Sequence, residues 1–104
     1  MKRYIKSASF GGYKYQYEVH WVSPDGEDEL LGASKTLKGA VDIAIRQINR
    51  VAENPFEEDE RKYHFIDNTY IYDAKSDRVI DDYTLEEAQD NLMSMLDSRI
   101  RMSK

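Results

Sequence analysis

Between Tyr13 and Trp21 every second residue is aromatic or β-branched, so that Tyr13, Tyr15, Tyr17, Val19 and Trp21 alternate with Lys14, Gln16, Glu18 and His20. A period of two is the signature of a strand with one apolar and one wet face. An apolar strand face has to be covered by another layer. The chain supplies that cover in two segments where the period changes.

In "TLKGAVDIAIRQINRVAENP" the residues Leu37, Val41, Ala44, Ile45, Ile48, Val51 and Ala52 fall on one helical stripe, opposite Lys38, Asp42, Arg46, Gln47, Asn49, Arg50 and Glu53. Thr36 is placed to cap this helix, and Asn54-Pro55 ends it because a residue before proline avoids the helical region. Ile43 lies off the stripe and is expected at the surface. In "TLEEAQDNLMSMLDSRIRMSK" a second stripe holds Leu85, Ala88, Leu92, Met95, Leu96 and Ile100, with Thr84 and Glu87 spaced as a capping box.

The remaining segments read as strands and turns. "KRYIKSAS" leans towards β structure, and Gly11-Gly12 is a first turn. Pro24 and Asp25-Gly26 signal a hairpin into "ELLGASKT". "FEEDERK", residues 56–62, reads as a solvated loop, "YHFID" as a strand ending near Asp67-Asn68 or as the first part of one long strand bulged there, and "TYIYDA" with "RVIDDY" as a second hairpin closed at "AKSD". The predicted order is β-β-β-α-β-β-α. It describes one α+β domain over residues 1–104: a two-layer sandwich in which an antiparallel sheet of about five strands carries two helices on one face.

Charge is uneven along the chain. The formal net charge is −5. Residues 54–97 hold thirteen acids against four bases, whereas residues 1–22 hold four bases against Glu18 alone. An acidic body disfavours general binding to a nucleic-acid backbone and favours a basic partner surface. There is no cysteine, which removes disulfides, thiolate metal sites and cysteine nucleophiles. The basic residues of "MKRYIKSASF" are not followed by the apolar run of a signal peptide, so the expected setting is the cytoplasm.

Catalytic patterns are weak. No glycine-rich phosphate loop and no Gly-x-Ser-x-Gly elbow occurs, and His20 and His64 both lie in predicted strands. Asp67 with Asp73-Ala74-Lys75 has the flavour of a metal-dependent nuclease, in which two carboxylates hold a divalent ion and a lysine steadies water. Here the acid-x-Lys coincides with a predicted turn, whose chemistry alone explains Asp73, Ser76 and Asp77. Asp25, Glu27, Asp28 and Glu29 do not follow the spacing of a calcium loop. No cofactor is expected.

A three-stranded meander leading into one helix, with the "DG" turn and "KT" before the helix, resembles small arm-type or AP2-like DNA-binding modules over residues 11–50. The resemblance implies a sheet laid in the major groove. It departs at "DGEDE", where those modules carry basic residues. The expectation that best fits composition is therefore a non-enzymatic, acidic protein-binding module, a monomer or small homo-oligomer. Small acidic proteins of this kind occur among phage and mobile-element products that inhibit host nucleic-acid-processing enzymes by presenting acids where phosphates would lie. The predicted partner-binding residues are Glu27, Asp28, Glu29, Glu57, Glu58, Asp59, Glu60, Tyr70 and Tyr72. A nucleic-acid-binding module is the alternative, and a metal-dependent nuclease the remote one.

Overall fold

The computed structural model describes residues 15–102, with side chains through 99. The strand expected within residues 2–9, the Gly11-Gly12 turn and Tyr13 lie outside these residues. Strands β1 (Tyr17–Val22) and β2 (Asp28–Ser34) form the first hairpin, followed by helix α1 (Leu37–Glu53) and helix α2 (Asp59–Asp67). The second hairpin, β3 (Thr69–Asp73) and β4 (Arg78–Ile80), precedes helix α3 (Tyr83–Met102). The four strands form one antiparallel sheet in the order β2-β1-β3-β4. The α+β class agrees with the expected one. The described residues hold four strands and three helices, where about five and two were expected.

The additional helix is α2, over a segment read as loop and strand. Its acids Asp59 and Glu60 occupy the first turn, where the positive end of the helix dipole favours them. Glu57 and Arg61 pair at 3.0 Å across one turn. Lys62 and Ile66 form the buried stripe. Asn68 then ends the helix by donating both its backbone N–H, at 3.0 Å, and its side-chain amide, at 2.8 Å, to the His64 carbonyl.

Helix α1 follows its sequence closely. The Thr36 hydroxyl accepts the Gly39 N–H at 3.0 Å, and the helix stops before Asn54-Pro55. It buries Ala40, Val41, Ala44, Ile48 and Ala52 against Val19 and Ile71 of the sheet. Ile43 is half-buried rather than exposed: a Cβ built on Gly32 of β2 would stand 3.1 Å from its Cγ2, so the missing side chain is what lets Ile43 in. Helix α3 adds Leu85 and Leu96 to the same core. Its cap is Asp82, whose Oδ1 accepts the Leu85 N–H at 3.0 Å; Thr84 lies inside the first turn, so the predicted capping box is not used.

The alternating row behaves as read for its apolar half. Tyr17, Val19 and Trp21 share a face with Ile71 and Gly32, towards the helices. The other half departs from expectation: Glu18 is 0% exposed and His20 4%. The supposed wet face of β1 is buried.

A β-bulge organises that second face. Val19 pairs with Gly32, but His20 pairs with Leu30, which leaves Leu31 as the extra residue. In unbroken register Val22 would oppose Glu29. With the bulge Val22 opposes Asp28, so Asp28 joins the His20 face and Glu29, opposite Trp21, joins the helix face.

Candidate acidic docking surface

The end of the molecule where β1, α1 and α2 meet contains a cleft of about 210 Å³ walled by Trp21, Pro24, Val51, Glu57, Arg61, His64 and Phe65. Its aromatic wall is continuous. The Trp21 and Phe65 rings lie 4.8 Å apart and tilted, and Trp21 meets His64 edge-on at 6.0 Å. The His64 ring is fixed by its neighbours: Nε2 donates to the Val22 carbonyl at 2.9 Å, and the Asn68 side chain lies 3.4 Å from Nδ1. A ring held at both nitrogens is a structural wall, and it sits on a helix rather than on the strand expected from sequence.

Above this cleft runs the α1–α2 turn. Asn54 shapes it by accepting the Phe56 N–H on Oδ1 at 2.9 Å and the Glu57 N–H on its carbonyl at 3.3 Å. The backbone of Phe56 is thereby held while its side chain is 94% exposed. Glu57, half-buried, and Glu58, Asp59 and Glu60, exposed, follow it immediately. The turn therefore presents one aromatic ring to solvent beside four acids, and aromatic residues are enriched at protein interfaces.

The first acidic stretch follows a hairpin tip that reaches this end of the molecule. Pro24, at the tip of the first hairpin, borders the same hollow as Glu58, Glu60, Arg61 and His64. Glu27 and Glu29 are exposed, and Glu29 faces Trp21 across the β1–β2 ladder.

Asp28, Tyr70 and Tyr72 are placed elsewhere. The His20 ring lies between two carboxylates, with Nε2 2.9 Å from Glu18 Oε1 and Nδ1 3.0 Å from Asp28 Oδ1. The ring thus bridges the two carboxylates. The Tyr70 hydroxyl donates to the second oxygen of Asp28, and Tyr70 stacks on His20 at 5.4 Å. The Tyr72 hydroxyl donates to Asp77, and Tyr72 is only 4% exposed. These three side chains belong to a buried polar network on the sheet face turned away from the helices, not to the acidic end.

No family model matches this chain, and no curated protein or solved structure does.

The nuclease pattern is dispersed. Asp67 ends α2 before β3, and Asp73 ends β3, so the length of that strand, about 13 Å from Thr69 to Asp73, lies between them. Asp73 Oδ1 is occupied by the Gln16 side chain at 3.1 Å and by the Lys75 and Ser76 N–H groups at 2.9 and 3.3 Å. Burial opposes ionisation of Asp73, but these hydrogen bonds outweigh it and hold its pKa below the usual value of 3.8. Among the described residues no group of three or more histidines and acids is arranged to hold a metal ion, and no helix is long and apolar enough to cross a membrane.

Sequence reasoning missed Phe56 and the cleft. The signal for Phe56 was present as an aromatic directly after Asn54-Pro55. The cleft depends on α2 being helical, because only then do Arg61, His64 and Phe65 turn one side towards Trp21.

Proposed function

We propose that this chain is a non-enzymatic, acidic protein-binding module that docks on a basic partner through the turn at Phe56 and the acids Glu57–Glu60, with Glu27 and Glu29 at the rim. The observation that carries this reading is the Phe56 ring, 94% exposed on a hydrogen-bonded turn and followed by four acids. Folding gives no reason to expose it, whereas Asp59 and Glu60 also serve the helix dipole. The biological setting that fits best is cytoplasmic inhibition of a host nucleic-acid-processing enzyme by a phage or mobile-element product, the carboxylates occupying ground that DNA phosphates would take.

A nucleic-acid-binding role has less behind it. The sheet face turned away from the helices holds Glu18, Asp28, Tyr70 and Tyr72 around His20, where groove binding calls for lysine and arginine. A pull-down from host lysate tests the proposal. It is expected to retain nucleic-acid-processing proteins at low salt and release them as salt rises, and a lysate yielding no such protein would count against it.

A further inference from the structure

We infer that the Trp21–Phe65 cleft is an anchor pocket for an arginine side chain of the basic partner, an inference that rests on the docking reading above. At about 210 Å³ it is smaller than the pockets of roughly 300–1,000 Å³ that hold drug-sized ligands, and it suits one long side chain. Its floor offers the Trp21 and Phe65 rings, surfaces on which a guanidinium stacks. Its lining offers the carboxylate of Glu57, and Glu58 and Glu60 border the adjoining hollow together with Pro24, Arg61 and His64.

The lip already holds a guanidinium. Arg61 Nε lies 3.0 Å from Glu57 Oε1, and its side chain is largely exposed. An arriving arginine takes the Glu57 carboxylate and displaces Arg61 into solvent. An anionic occupant finds no comparable welcome, because His64 is held at both ring nitrogens and Arg61 is committed to Glu57. A second copy of this chain would set the acids of two lips against each other.

Trp21 is the single tryptophan of the chain, so its fluorescence reports on this cleft alone. The test titrates the intact protein with a short capped peptide bearing one central arginine, with its citrulline isostere, and with a version bearing phenylalanine instead. Saturable change in Trp21 emission is expected with the arginine peptide, and binding about tenfold weaker with citrulline, which keeps the shape and loses the charge. Glu57→Gln is expected to weaken arginine binding by roughly threefold to tenfold, and Arg61→Ala to tighten it by roughly threefold, because a competing cation is gone. The inference is overturned if citrulline or phenylalanine binds as well as arginine, if Arg61→Ala weakens binding, or if Trp21 emission changes only with protein concentration, as self-association would make it. The two readings fail separately. Salt-sensitive binding of a lysine-rich protein with no response of Trp21 to the arginine peptide leaves the acidic docking surface standing and removes the anchor pocket.

Discussion

His20 Nε2 lies 2.9 Å from Glu18 Oε1, a contact between side chains two positions apart on one strand and both buried. Buried charge is tolerated when every partner is in place, and removing one partner is far costlier than replacing the whole group by apolar residues. His20→Ala takes away the donor between Glu18 and Asp28. It is expected to destabilise the fold by about 3–5 kcal/mol in urea or thermal unfolding. Glu18→Ala with His20→Ala together should cost less than the sum of the two single changes, since they remove parts of one network.

Asp73 gives the fold a defined acid sensitivity. Its folded pKa lies below 3.8, so below neutrality the unfolded chain takes up its proton first. The stabilisation is fully present above about pH 5 and is lost as pH falls through 3.8 towards the folded value. Asp73→Asn should flatten this part of the stability–pH curve. Urea midpoints measured from pH 6 down to 3 test it, and a wild-type curve that matches the variant's in slope would be inconsistent with the hydrogen bonds described.

The approach of Ile43 to Gly32 sets how α1 lies on β2. A Cβ at Gly32 would stand 3.1 Å from Ile43 Cγ2, so Gly32→Ala should cost about 1–3 kcal/mol through overpacking. Adding Ile43→Ala should recover part of that loss. Equilibrium unfolding of the two single variants and the double variant measures the coupling, and strict additivity would contradict the contact.

Much of this architecture is legible in the sequence, and the failures have physical causes. The stripe from Leu37 to Ala52, the Thr36 cap and the second hairpin are local patterns that folding keeps, whereas the Thr84–Glu87 box and the strand-like "YHFID" are local patterns that it overrides. Glu18 and His20 were misread because alternation reports only that two faces differ in polarity. It cannot tell a solvated face from a buried hydrogen-bonded one, and the bulge that brings Asp28 to His20 has no local sequence signal. The segment "YHFID" has the aromatic and β-branched content of a strand, but the acids before it and Asn68 after it favour a helix with Ile66 inward. Charge alone singles out the acids of residues 57–60; that Trp21 and Phe65 line a cleft with Glu57 required the fold.

Phe56 separates binding from stability. Because its side chain lies almost wholly in solvent, Phe56→Ala should change unfolding free energy by no more than about 0.5 kcal/mol. The same substitution should weaken partner binding by roughly tenfold or more if the ring is an interface anchor. A large loss of stability would mean that the ring packs within its own chain.

The most direct test of the docking account compares the wild-type protein with a variant carrying Phe56→Ala, Glu57→Gln, Glu58→Gln and Glu60→Gln in capture from host lysate. Bound proteins are identified at low salt and at about 1 M salt, where the screening length falls to about 3 Å. The account predicts a set of basic, nucleic-acid-processing proteins held by the wild type at low salt, released at high salt, and absent from the folded variant. Retention of the same proteins by both forms would contradict it.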